Sequence, residues 1–158
     1  MIIAMTGHQH ERLGLPIDVS KNEWDKVIKW IRYEIIESGA DEVFSGMAHG
    51  SDMAMAYAAA DLKKHGWDGR LTLVCPCVGY GSTDPMYEYI FERADRVISM
   101  HPEWQKGADD ERDEFMAANC DVMLSIFDGQ KHGGCWSTIN KAIKHGKKVI
   151  IASRSVWS

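Results

Sequence analysis

Short apolar runs that stop at glycine or a small polar residue, each followed by a stretch with helical spacing, recur from one end of this chain to the other. Ile2, Ile3, Ala4 and Met5 stop at Thr6-Gly7, and Glu42-Val43-Phe44 stops at Ser45-Gly46. Residues 71–75 stop at Pro76, residues 96–100 form another short run, and residues 121–127 lead into Asp128-Gly129. Val149, Ile150, Ile151 and Ala152 close the series. Runs this short, rich in β-branched and other apolar side chains, predict buried strands. Between them, Trp24, Val27, Ile28, Ile31, Ile35 and Ile36 repeat at helical spacing, as do Met53, Ala54, Tyr57, Ala58 and Leu62. Residues 84–94, residues 109–119, and Ile139 with Ala142 and Ile143 supply three more helices, with Gly39 and Gly146 as stops. Residues 8–20 lack a clean period and read as a loop.

Strands alternating with helices require crossover connections, so the sheet is expected to be mostly parallel. The predicted fold class is α/β: a single Rossmann-like three-layer domain over residues 1–158, with no linker or internal repeat. The 158 residues suit one domain, and 45% hydrophobic composition is enough to cover both faces of a sheet. In such sheets ligands bind outside the carboxyl ends of the strands. Thr6-Gly7, Ser45-Gly46, Pro76 and Gly133-Gly134 are therefore expected to converge on one crevice.

Two glycine-bearing turns stand out, Ser45-Gly46-Met47-Ala48-His49-Gly50-Ser51-Asp52 and Gly133-Gly134-Cys135-Trp136-Ser137-Thr138. Each follows an apolar run and opens a helix, where glycine permits close backbone approach and free N–H groups attract an anion. Neither matches the Walker or complete dinucleotide pattern, and the same glycines also suit an ordinary strand-to-helix turn. Ser45, Ser51, Ser137 and Thr138 can donate to phosphate oxygens or cap helices. Asp52 can accept from a ribose hydroxyl or hold its loop. Arg112 offers paired donors to phosphate, or belongs to a solvated face with Asp109, Asp110, Glu111, Asp113 and Glu114. His8 can contact phosphate or move a proton. Trp104, Trp136 and Tyr80 can stack on a base or pack in a core, and Trp136, inside the turn, is the preferred stacking candidate.

A net charge of −5 and a pI near 5.8 argue against a protein that holds nucleic acid through a general positive field. No segment reads as a secretory leader or approaches a membrane span of about 20 residues, so a cytoplasmic chain with no membrane partner is expected. Cys75, Cys77, Cys120 and Cys135 lie in or beside apolar segments, where reduced buried thiols are expected rather than a disulfide framework. Cys75-Pro76-Cys77 is spaced too closely for a usual zinc or redox pair. His8 and His10 have no third and fourth ligand at a recognised spacing, so no metal is expected.

Taken in order, Thr6-Gly7-His8, Ser45 to Asp52, Arg112 followed by Met116, and Asp128-Gly129 leading to Gly133-Gly134 resemble the YpsA-like branch of the SLOG superfamily, which is named from the Smf/DprA and LOG proteins. The resemblance covers nearly the whole chain. It implies a Rossmann-like fold, a site for a nucleotide or related ligand, and homo-oligomerisation. LOG-type phosphoribohydrolases resemble the chain in a double-glycine turn with threonine, but their pattern continues to a catalytic glutamate where this chain has Asn140, flanked by Ile139 and Lys141. Asparagine cannot replace a carboxylate in stabilising an oxocarbenium-like centre. Glu88, Glu92, Glu111 and Glu114 are the acids considered as substitutes. The branch often has asparagine where Asp113 follows Arg112.

The expected ligand-binding set is Thr6, Gly7, His8, Ser45, Gly46, Met47, Ala48, Gly50, Ser51, Asp52, Pro76, Arg112, Asp128, Gly133, Gly134, Cys135, Trp136, Ser137 and Thr138. No cofactor is required, and a nucleotide-type ligand is expected. The leading function is binding, by sensing or sequestration, of a nucleotide derivative related to NAD or ADP-ribose. One alternative is a hydrolase acting on N-glycosidic bonds of nucleotides. Another is a DNA-associated protein resembling the DNA-processing branch.

Overall fold

The computed structural model describes all 158 residues. Strand β1 (Ile2–Gly7) is followed by one turn of helix, α1 (His10–Leu13), a 3-10 turn at Asn22–Trp24 and helix α2 (Asp25–Ser38). The chain continues through β2 (Glu42–Ser45), α3 (Ser51–Lys64), β3 (Arg70–Cys77), α4 (Tyr87–Arg93) and β4 (Arg96–His101). It ends with α5 (Ala108–Asn119), β5 (Val122–Ile126), α6 (Gly133–Lys144), β6 (Lys148–Ile151) and a 3-10 turn at Arg154–Val156.

The six strands form one parallel sheet in the order β4-β3-β2-β1-β5-β6. Ile3 to Ala4 of β1 pair with Val43 to Phe44 on one side and Val122 to Met123 on the other. With both faces covered, the central strands are continuous apolar runs rather than alternating ones. The larger core lies under α2, α3 and α4 and includes Trp24, Val27, Ile31, Ile35, Met53 and Ile90. Five alanines of α3 are fully buried, and their small side chains let this helix lie close to the sheet beneath α2. The opposite face carries the smaller cluster of Phe44, Met116, Ala117, Met123 and Ala142 under α5 and α6. The predicted three-layer α/β arrangement is the one observed.

Strand order reverses beside β1. Consecutive strands step outward from β1 to β4, and α5 then returns the chain across the other face to place β5 on the opposite side of β1. The loops leaving β1 and β5 therefore diverge and leave a crevice.

Three local readings change. Residues 8–20 contain the single turn α1. The helix read over residues 84–94 is shorter, because Asp84 is occupied in accepting from the Met86 N–H and from His49. Pro76 lies inside β3 rather than opening a loop. Its missing N–H costs no ladder bond, since β2 ends at Ser45 opposite Leu73 while β4 pairs with Cys75 and Cys77 on either side.

At the amino edge of the sheet Glu42 is buried and accepts from Thr72 Oγ1 at 2.6 Å, Arg70 Nη2 at 3.0 Å and Arg96 Nη2 at 2.9 Å. One carboxylate thus ties β2, β3 and β4. Both arginines are largely exposed, so most of the stabilisation comes from satisfying the buried end of this network. Glu42→Ala is expected to cost about 2–3 kcal/mol in urea unfolding, whereas Arg70→Ala costs about 1 kcal/mol or less. Equal losses would show that the ion pair, rather than the buried acceptor, dominates.

Candidate functional site

A cavity of about 310 Å³ opens at the carboxyl ends of the strands, where the order reverses. Its floor is Met5, Thr6 and Gly7, and its walls are His8, Gln9 and Arg12 after β1, Ala48 and Asp52 after β2, and Tyr80 after β3. The first two turns of α5 add Asp109, Arg112 and Asp113, and the start of α6 adds Gly134, Cys135 and Thr138. Of the residues expected from the sequence, Thr6, Gly7, His8, Ala48, Asp52, Arg112, Gly134, Cys135 and Thr138 line it.

The first glycine turn serves the chain itself. A Cβ on Gly50, whose φ is +92°, would fall 2.5 Å from the His10 backbone nitrogen, and one on Gly46 would fall 2.8 Å from Asp52 Oδ2 and 2.9 Å from Arg112 Nη1. Ser45 Oγ donates to the Asp52 carbonyl at 2.7 Å and accepts from the Met47 N–H. Ser51 Oγ donates to the His8 carbonyl at 2.7 Å. Met47 is buried with φ 62°, a left-handed conformation that a side-chain-bearing residue adopts only when its surroundings enforce it. Ser45, Gly46, Met47, Gly50 and Ser51 therefore hold the loop and do not line the cavity. Three of the four amide donors opening α3 are also engaged, Ser51 N–H with His8, Met53 N–H with Ala48 and Ala54 N–H with Gly50.

The second turn is open. Gly133 adopts φ +89° and a Cβ there would meet only Arg12 Nη1, at 3.6 Å, while one on Gly134 would meet nothing within 4 Å. His132 makes no side-chain cap, so the first N–H groups of α6 are free to receive an anion beside Arg12. Arg12 is held by Asp128, with Nε at 2.8 Å and Nη2 at 3.2 Å. Burial pushes the Asp128 carboxyl up, but the Gln130 N–H, Arg12 and His8 outweigh it and hold the acid well below the usual carboxylate range. Asp128 is thus an anchor for Arg12 rather than part of the lining. His8 Nε2 accepts from the Asp128 N–H at 3.1 Å, and burial, aided by Arg12, pushes its pKa down. The same nitrogen lies 3.1 Å from Asp128 Oδ1, so it is occupied by Asp128.

Helical phase explains the remaining corrections. On α6, residues 134, 135 and 138 face the cavity, and the intervening positions turn away. Trp136 stacks on Phe127 with centroids 5.6 Å apart, and Ser137 Oγ pairs with Lys141 Nζ at 2.8 Å. Pro76 and Gly133 also lie outside the lining.

The far wall holds the site's ionisable pair. Arg112 is buried, donates from Nε to Asp113 Oδ1 at 2.6 Å and from Nη1 to the Gly46 carbonyl, and its guanidinium lies 5.7 Å from the Tyr80 ring centre. Burial, opposed by Arg112 and aided by Asp113, raises the Asp52 pKa to about 7. Its only hydrogen bond is a long one, 3.4 Å, from the Ala48 N–H. Burial likewise raises Asp113, opposed by Arg112 and the Thr138 hydroxyl. Burial pushes the Cys135 thiol up to about 11, so it stays protonated. No three His, Cys, Asp or Glu side chains converge as a metal site.

None of the four glutamates considered from the sequence lines the cavity. Glu111 accepts from His101 and Glu114 pairs with His145, while Asn140 is exposed and donates to the Trp136 carbonyl. The acids present are Asp52, Asp109 and Asp113. Met5, Gln9, Arg12 and Asp109 are lining residues that the sequence did not single out. The available signal for Arg12 was a cation in the loop leaving the first strand, at its carboxyl end.

No family model matches the chain, and no curated protein matches it. Among solved structures, the X-ray structure of DNA processing protein A (DprA) from Streptococcus pneumoniae aligns with a TM-score of 0.64 at 22% identity. The alignment covers 94% of this chain and 49% of that one, so the chain spans about half the length of that protein. The likeness is one of fold. No helix is long and apolar enough to cross a membrane.

Two outcomes follow for stability. Gly50→Ala is expected to cost more than about 2 kcal/mol, from a strained φ and a backbone clash, while Gly134→Ala changes unfolding by about 0.5 kcal/mol or less. For Asp52, folding raises the pKa from 3.8 to about 7. Its favourable contribution is therefore full below 3.8 and is lost as pH rises to about 7, each unit costing about 1.4 kcal/mol at most. Asp52→Asn removes this titration and should be more stable than wild type by on the order of 2 kcal/mol at about pH 8. The gain should vanish near pH 4 in thermal unfolding. A difference that does not vary with pH contradicts the assignment.

Proposed function

We propose that this chain binds a nucleotide or nucleotide derivative in the switch-point cavity, as a sensor or a sequestering protein of the YpsA-like branch. The observation that carries the reading is the uncapped start of α6, which faces Arg12 across Gly133 and Gly134. Backbone N–H groups and a guanidinium held by Asp128 make a receptor for a phosphate group that is formed before the ligand arrives. Asp52 and Asp113 stand at the opposite wall, where carboxyl groups accept from sugar hydroxyls. The cavity is of a size for a small ligand rather than a polymer. A lining with Asp52, Asp109 and Asp113 against Arg12 and Arg112 also disfavours a long polyanion, so DNA association is the weaker reading.

A second reading, hydrolysis of an N-glycosidic bond, has one observation in its favour. Asp52 is a buried carboxyl with a pKa near 7, suited to exchange a proton with a leaving nitrogen or a water at neutral pH. Water would then supply hydroxyl to the anomeric carbon and a proton to the departing base.

Calorimetric titration with ADP-ribose tests the first reading, and chromatography of the same mixture tests the second. Arg12→Ala is expected to weaken binding by at least about tenfold. Its pyrophosphate carries the same charge from about pH 6 to about pH 8, whereas ionised Asp52 repels it. Binding should therefore tighten as pH falls through about 7, and Asp52→Asn should remove most of that dependence. Free adenine or ribose-containing products would establish turnover. No heat and no product with ADP-ribose, AMP or NAD would overturn both readings.

A further inference from the structure

Two parallel aromatic pairs flank the cavity, and they are not equivalent. Trp136 rests on Phe127 with its rings inclined by 14°, and Lys131 Nζ lies 5.7 Å from its ring centre. Neither ring reaches the lining. Tyr80, by contrast, forms part of the wall, and Trp104 lies beside it with rings inclined by only 16° and centroids 6.4 Å apart. The indole is 55% exposed. It borders a second hollow with His101, Pro102, Glu103 and Gln105, and its pairing with Tyr80 links that hollow to the cavity wall. The phenol ring of Tyr80 is meanwhile steadied by the Arg112 guanidinium, 5.7 Å from its centre.

We infer that the Tyr80–Trp104 pair is the shelf on which the planar ring of the ligand stacks, with Glu103 and Gln105 beside the polar edge of that ring. The inference rests on the nucleotide reading above and gives the ligand a direction. The phosphate lies at the α6 end, beside β1 and β5, and the heterocycle lies toward β3 and β4. The sugar falls between them, opposite Asp52, Arg112 and Asp113. An amino-bearing purine suits this edge, because the Glu103 carboxylate accepts from an exocyclic amine and the Gln105 amide both donates and accepts. Stacking is tolerant of ring identity, so the shelf sets orientation and affinity and the edge residues select among bases.

Calorimetric titration of ADP-ribose and of ribose 5-phosphate into wild type, Trp104→Ala, Trp104→Phe and Trp136→Ala tests the shelf. Trp104→Ala is expected to weaken ADP-ribose roughly tenfold and leave ribose 5-phosphate, which has no ring to stack, unchanged. Trp104→Phe should recover most of the loss, and Trp136→Ala should change neither ligand. Because Trp104 is exposed, its variants are expected to keep the wild-type melting temperature, which is measured alongside. Binding of ADP-ribose that is equal in wild type and Trp104→Ala, or a loss seen with Trp136→Ala instead, overturns the shelf while leaving the nucleotide reading intact. Failure of wild type to bind either probe removes the nucleotide reading, and the shelf with it.

Discussion

Everything at the site depends on one close contact, the docking of the first turn of α3 onto the end of β1. Ser51 sits over Gly7 so tightly that a Cβ on Gly7 would fall 2.5 Å from Ser51 Cβ, and Gly50 passes the backbone at Gln9 and His10 just as closely. The Ser51 hydroxyl and amide both close on the His8 carbonyl. These contacts fix the loop after β1, and with it the positions of His8, Gln9 and Arg12. Most of the amide donors that open α3 are engaged within the same loop. A helix start can receive an anion only through donors that the chain has not already satisfied. Of the two glycine turns, the first is therefore committed to folding, and the second leaves its donors free.

The electrostatics are arranged in the same divided way. Near α6 the charges are locked: Asp128 is held well below the usual carboxylate range and grips Arg12, while His8 Nε2 is engaged by Asp128 as well. At the other wall the charges are poised. Arg112 is committed to Asp113 and to the Gly46 carbonyl, leaving Asp52 without a close ion pair in a buried setting. A carboxyl so placed neutralises rather than remaining charged. Proton occupancy at Asp52 thus changes the sign balance of that wall near neutral pH, while the Arg12–Asp128 pair at the other end keeps its charges.

The fold was legible because its signal is repeated and physical. Six apolar runs separated by helical periods leave few arrangements other than a covered parallel sheet, and the strand centres fall where those runs fall. The crevice was legible for the same reason, since topology alone places it at the strands' carboxyl ends. Individual site residues were harder. Glycine marks any close approach of backbone, so Gly46 and Gly50, which meet their own chain, look the same in sequence as Gly134, which meets open space. Trp136 sits inside the open turn yet faces away, a matter of helical phase that its position in the motif does not reveal. Arg12 belongs to no motif, and its role comes from Asp128, 116 residues away in sequence. The substitute acids were sought on helices as glutamates, whereas burial beside Arg112 singles out two shorter aspartates.

Shortness matters to what those aspartates can do. The compact side chain of Asp52 keeps its carboxyl under the loop at Ala48 and within the field of Arg112, and Gly46 leaves the room for both, since a Cβ there would strike Asp52 Oδ2 and Arg112 Nη1. The glycines of the first turn thus contribute to the cavity without lining it. Gly46 lets the buried acid and the buried cation share one wall, and that shared wall gives the crevice a group that can change charge near neutrality.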